Sequence, residues 1–221
     1  MTTRRLEVID LGRRAYEEVL VLQRDCVERR VRDEIPDRLL LVEHDPVITV
    51  GRGAAVEEVA GVPFPVVEIE RGGEATWHGP GQLVGYPILR LDEGERDLHL
   101  HLRRLEEVLI LALGDLGLDV ERAPPHTGVW TGGRKLASIG VAVRRWVTYH
   151  GFALNVDCDL DAFSSFRPCG LDAAVMTSVS SASGRPETID RVTPRVIERF
   201  LQVFGRTAAG DDPVAPAVPE E

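Results

Sequence analysis

Between Gly128 and Val156 three runs of strand character follow one another: Gly128–Thr131, Lys135–Val143 and Val147–Val156. The turn between the first two is Gly132-Gly133, a pair whose free φ angles suit a hairpin. Strands joined this closely lie antiparallel, because a parallel return needs a crossover of a dozen or more residues. A chain with such a segment is not a doubly wound strand–helix–strand repeat. The remaining pattern agrees. Leu39–Val42 and Val47–Val50 read as strands on either side of His44-Asp45-Pro46, and Val66–Ile69 and Leu83–Leu89 as further strands. Amphipathic spacing predicts helices over 13–32 and Leu98–Leu116, with a short one near Asp172–Thr177. A last helix is expected from Thr193 as N-cap, with Pro194 in its first position, to about Arg206. The fold class expected is α+β, mixed sheets with packed helices. Residues 1–206 form one domain with room for a small subdomain, and 207–221 form a disordered acidic tail.

Composition narrows the classes of function. The formal net charge is −10, which disfavours nonspecific nucleic-acid binding. No apolar run approaches the roughly 18 residues that cross a bilayer, and the start has no apolar signal core. Three cysteines, Cys26, Cys158 and Cys169, are too few and too odd in number for a disulfide framework. A cytoplasmic protein without a membrane partner is expected. Paired arginines at 103–104 and 144–145 still leave room for a local basic patch facing an acidic protein.

Of the 26 basic residues only Lys135 is a lysine. Arginine supplies surface charge equally well but does not lose its proton. A lysine standing alone against that bias invites a role in proton transfer, against the plain alternative of chance. It enters a strand directly after a glycine turn, among Leu136, Ala137 and Ile139, where withdrawal from water disfavours the charged form.

Two further segments carry chemistry. Arg71-Gly72-Gly73-Glu74-Ala75-Thr76-Trp77-His78-Gly79-Pro80-Gly81-Gln82 has the glycines to wrap a ligand in backbone amides. It lacks the GxxxxGK[ST] of a phosphate loop, and taken alone it fits a binding loop or a surface turn equally. Phe166-Arg167-Pro168-Cys169-Gly170 frames a thiol between a stiff residue and an unencumbered one. Cys158 instead lies among Asp157, Asp159 and Asp161, where negative charge dulls a thiol, and Cys26 falls on the buried stripe of a helix. No spacing for a metal site occurs, and His99 and His101 do not share a helix face.

RGGEATWHGPGQLVGYPI, GGRKLASIG, YHGFALNV and FRPCG, in this order, resemble the octanoyltransferases of lipoate biosynthesis. The resemblance spans about residues 38–180, with Trp77 where many relatives carry tyrosine. It implies a fold like that of the biotin and lipoate protein ligases, around an acyl tunnel. It implies transfer of an octanoyl group from acyl carrier protein to a lysine of lipoyl domains, in 2-oxoacid dehydrogenase subunits and the glycine cleavage H protein. No cofactor is implied, since phosphopantetheine arrives with the carrier, and a monomer is expected. Cys169 becomes the acyl-thioester nucleophile and Lys135 its partner. Arg71–His78, Ser138-Ile139-Gly140 and Gly151-Phe152-Ala153 become the substrate-binding segments.

The chemistry of the residues is consistent with that role, because passing an acyl group between two large carriers favours a covalent intermediate. Two other classes stand beside it. A lipoate protein ligase would activate a free acid with ATP and would not need Cys169. An inert module that binds carrier domains would have no use for both Lys135 and Cys169. Within the transferase reading, His78 and His150 are alternative bases, and Arg144 and Arg145 are candidates for docking the carrier.

Overall fold

The computed structural model describes residues 4–209. In chain order these form β1 (Arg4–Arg14), α1 (Tyr16–Val31), β2 (Asp37–His44), β3 (Val47–Val50), β4 (Val66–Glu68), β5 (Ala75–His78), β6 (Gln82–Ile88) and α2 (Leu98–Gly114). There follow β7 (Glu121–Ala123), β8 (His126–Thr131), β9 (Arg134–Arg144), β10 (Val147–Asn155), α3 (Val179–Ser183), α4 (Ile189–Phe204) and β11 (Arg206–Ala208). An eight-stranded sheet runs β11-β1-β2-β6-β10-β9-β8-β7, and a three-stranded sheet runs β4-β3-β5. Strand β1 is parallel to both its neighbours, whereas the pairs from β2 to β7 are antiparallel. The mixed α+β class expected from the sequence is what the chain adopts.

Both faces of the large sheet are covered, which explains the unbroken apolar run of β2. Leu39 and Leu41 point into a cluster with Leu105, Leu109 and Leu113 of α2 and Val196 and Phe200 of α4. Leu40 and Val42 point the other way, onto Tyr16, Val19, Leu20 and Cys26 of α1. Cys26 is fully buried there, as the helix stripe predicts. Burying a leucine- or phenylalanine-sized side chain in such clusters stabilises by about 1.5–3 kcal/mol. The small sheet has its own core, in which Ile48, Val50 and Trp77 meet Phe163 and Phe166.

Several boundaries differ from the sequence expectation. Strand β1 replaces the first residues of the expected helix; its arginines and the kink at Gly12 (φ 60°) mask the alternation. The strands β2 and β3 are joined by the expected turn but enter different sheets. Helix α4 starts earlier than Thr193: the Thr188 hydroxyl accepts the Arg191 N–H, and Pro194 lies inside the helix. The apolar stripe Ile189, Val192, Val196, Phe200 outweighs the missing proline N–H, because each of its turns is buried against α2 and the sheet. Of the expected tail, residues 207–208 lie in β11 beside β1, and the Ala209 N–H donates to Leu6; residues 210–221 lie outside the described residues. Among the described residues no helix is long and apolar enough to cross a membrane.

Candidate active site

A cavity of about 510 Å³ opens between the two sheets and the start of α2. It gathers Arg71, Gly72, Gly73, Glu74, Thr76 and His78 from the glycine-rich segment. From β9 come Lys135, Ser138, Ile139 and Gly140, and from β10 Gly151, Phe152 and Ala153. Cys169 completes it. Four segments remote in sequence thus share one space. Ala75 and Trp77 do not: strand β5 alternates, so they face the small core, where Trp77 meets Phe163 edge-on at 5.5 Å between ring centroids. The carry-over of 71–78 as one block is corrected at these two positions. Tyr16, Ile69, Val84, Tyr86, Leu98, Leu102, Pro125, His126, Thr127 and Val141, none of them expected as site residues, also line it, as do His99 and the candidate base His150.

Cys169 sits on the short 3₁₀ turn Pro168–Gly170 at φ 52°, ψ 36°, a left-handed conformation that few non-glycine residues adopt. Such strain persists where the surrounding structure holds it, commonly at reactive centres. Gly170 follows at φ 69°, and a Cβ there would lie 2.4 Å from a carboxylate oxygen of Glu74. The Ser138 hydroxyl lies 3.8 Å from the Cys169 sulfur. Burial pushes the Cys158 thiol up to about 12, with Asp159 and Asp157 adding to it. Burial also raises Cys26, against the opposing contact of Arg38. Cys169 is the free cysteine that is neither fully buried nor outside the cavity.

Lys135 is 3% exposed, and its Nζ lies 5.5 Å from the centre of the Trp130 ring, a cation–π contact. Its orientation depends on a bulge. Val129 pairs with Ala137, but Trp130 pairs with Lys135, so β9 carries one extra residue between them. Regular alternation would put Lys135 and Ser138 on opposite faces. The extra residue turns Leu136 and Ala137 both into the core and leaves Lys135 and Ser138 both on the cavity.

Arg71 is buried, donating to the Thr49 carbonyl at 2.9 Å, the Thr49 hydroxyl at 3.1 Å and the Gly72 carbonyl at 3.2 Å. Burial lowers its pKa, and the ionisable groups that favour its charge are Cys169, Tyr16 and Tyr86 rather than any carboxylate. Two cations, Arg71 and Lys135, therefore share the cavity with the thiol. That is a setting for negative charge on sulfur or on a substrate oxygen.

The histidine alternatives separate. Gln82 donates through Nε2 to Asn155 at 2.9 Å and to the Trp77 carbonyl at 3.3 Å, so its Oε1 accepts from His78 Nδ1 at 2.7 Å. His78 Nε2 then accepts from Thr49 at 3.3 Å. Both ring nitrogens are engaged, and burial, with His44 nearby, pushes the pKa down to about 3. His78 is a neutral strut. His150 has φ 54°, and burial holds it at about 4 despite the Glu70 carboxylate 3.5 Å away. At the far end of the β9–β10 hairpin, Arg144 pairs with Glu28 at 2.9 Å, and Arg145 stands exposed on the turn.

Among the described residues no group of three or more histidines, cysteines or carboxylates is placed to hold a metal. A cavity open between the two sheets, a framed thiol and an isolated lysine together make a candidate acyl-transfer site. Residues 15–201 match the family model described as the lipoyl protein ligase A/B catalytic domain. The chain belongs to that family, and it is an acyltransferase.

Its curated relatives include the octanoyltransferase of Geobacter metallireducens, 49% identical over 191 residues covering 86% of this chain and 90% of the relative. The octanoyltransferase of Gloeobacter violaceus is 51% identical, covering 83% of each chain. Among solved structures, lipoate-protein ligase A bound with ATP superposes with a TM-score of 0.73 at 18% identity, over 95% of this chain and 89% of the other. That likeness is one of fold.

Proposed function

We propose that the chain transfers an octanoyl group from octanoyl-acyl carrier protein to a lysine of lipoyl domains through a thioester on Cys169. The acceptors are 2-oxoacid dehydrogenase subunits and the glycine cleavage H protein. The observation that carries this reading is the convergence of Cys169, Lys135 and Ser138 on one cavity. The Cys169 thiolate attacks the thioester carbonyl, and the carbon–sulfur bond to the carrier breaks. The departing phosphopantetheine sulfur takes a proton from the Lys135 ammonium. The lysine amine of the lipoyl domain then attacks the enzyme thioester, the amide forms, and Cys169 leaves as thiolate. The amine's surplus proton goes to the now neutral Lys135, which restores the starting state. Arg71 and backbone amides of the glycine-rich segment face the carbonyl oxygen as it gains charge.

The thioester already carries the energy of the new amide, so neither ATP nor a cofactor is required. A free-thiol nucleophile also favours the reducing cytoplasm. Incubation with octanoyl-carrier protein alone should add one octanoyl group by intact mass. The adduct should be lost in Cys169→Ala but kept in Cys26→Ala and Cys158→Ala. Transfer that requires ATP and free octanoate, with no adduct, would return the chain to the ligase reading.

A further inference from the structure

We propose that Glu106 is a positioning residue for Lys135, acting through the backbone of Gly128. The proposal rests on the proton-carrying role of Lys135 argued above. Glu106 lies on α2 and is wholly buried, beside Leu105, Val108 and Leu109, which belong to the main core. A carboxylate in such a place is costly, and a well-packed apolar residue would serve stability as well or better. One oxygen is neutralised by Arg103 at 2.7 Å and Arg122 at 3.0 Å. The other does something an apolar residue cannot: it accepts the N–H of Gly128 at 3.1 Å.

Gly128 lies next to the bulge, just beyond the pair Val129–Ala137, where the β8–β9 ladder is interrupted. Its φ of 135° is open only to glycine, and a Cβ there would stand 2.3 Å from the Ala137 carbonyl and 3.0 Å from Cε of Lys135. The bare backbone of Gly128 is thus the wall against which the lysine stem rests, with the Trp130 ring near its Nζ. The backbone of Lys135 is held separately, its carbonyl accepting the Thr177 N–H at 3.0 Å. Glu106 fixes the wall, and the wall fixes where the ammonium points. A misplacement of about 1 Å at a proton donor is enough to cost roughly 100-fold in rate.

The test uses the single lysine. Labelling the full-length enzyme with ¹³C-lysine gives one side-chain signal, from Lys135. Glu106→Ala should shift and broaden that signal and lower kcat at least about tenfold, with KM for the octanoyl donor changed less than about twofold. Glu106→Gln, whose amide oxygen still accepts the Gly128 N–H, should recover the signal and bring kcat to within about threefold of wild type. Should the alanine variant not fold, Glu106→Leu keeps the volume while removing the acceptor, and the same readings apply. An unaltered Lys135 signal or unaltered kcat in a folded variant lacking the acceptor overturns the proposal. So does a glutamine variant as slow as the alanine one, which would assign the effect to the arginine pairs. If Lys135→Ala transfers at full rate, the proton-carrier reading fails instead, and the lysine signal still reads the Glu106–Gly128 link by itself.

Discussion

The Ser138 hydroxyl stands 3.8 Å from the Cys169 sulfur, although Ser138 lies on a central strand and Cys169 on a turn between elements. A hydroxyl at that distance donates to sulfur when the sulfur is charged and releases it when the thioester forms. Ser138→Ala should therefore slow iodoacetamide alkylation of Cys169 at neutral pH by a few-fold, about what one hydrogen bond to a charged group supplies. Unchanged alkylation would make Ser138 a spacer.

Lys135→Arg keeps a positive charge but has no neutral amine at working pH. Acylation of Cys169 should fall by less than about tenfold, whereas transfer to the lipoyl domain should fall by about 100-fold or more. Octanoyl-enzyme should accumulate in single-turnover mass spectra. An arginine variant that completes both half-reactions at near wild-type speed would remove Lys135 as proton acceptor.

Gly170→Ala meets two obstacles at once: a φ of 69° and the Glu74 carboxylate 2.4 Å from the new methyl. The strain is on the order of 1 kcal/mol, but the displacement of the Cys169 turn matters more. Adduct formation should slow about tenfold or more while thermal stability changes little. Full activity in this variant would show that the turn tolerates a shift and that the Cys169 geometry is not critical.

Four buried histidines set the acid limit of the fold. Burial pushes His78 down to about 3, and His44, His101 and His150 down to about 4. In the unfolded chain each titrates near 6.5, so below that pH the unfolded state binds more protons. Stability is complete above about 6.5 and is lost as pH falls towards the folded values. At pH 5 each histidine forfeits up to about 2 kcal/mol. The melting temperature should drop steeply between pH 7 and pH 5, and His101→Gln should flatten the slope without altering transfer at pH 7. A melting temperature indifferent to this range would mean the imidazoles are not held neutral.

Much of the site could be read from residue types alone. Lys135 stands out because nothing else in the chain shares its chemistry, and Cys169 because its neighbours free the thiol while aspartates crowd Cys158. What was hidden is geometric. The shared face of Lys135 and Ser138 depends on one extra residue in β9, and a bulge leaves no mark in hydrophobic periodicity. Trp77 reads as part of a binding motif, yet alternation along four residues of strand turns it into the small core. Tyr16 and Tyr86 come from α1 and β6 and meet at the cavity wall only because the sheet brings those elements together. Nothing in the sequence sets Glu106 apart from its neighbour Glu107. The burial of Glu106 follows from which face of α2 the sheet covers, and a charge pattern that pairs it with Arg103 hides that.

The place of β1 between β2 and β11 has a consequence for how the enzyme is made. Arg4 pairs with Arg206, so one edge of β1 stays without its partner until roughly 200 more residues have left the ribosome. An open strand edge is a template for stray pairing, and for most of translation this nascent chain offers one. The enzyme should accordingly lean on chaperones during synthesis more than its finished stability requires, and a fusion that delays or obstructs residues 206–208 should lower soluble yield before it touches catalysis.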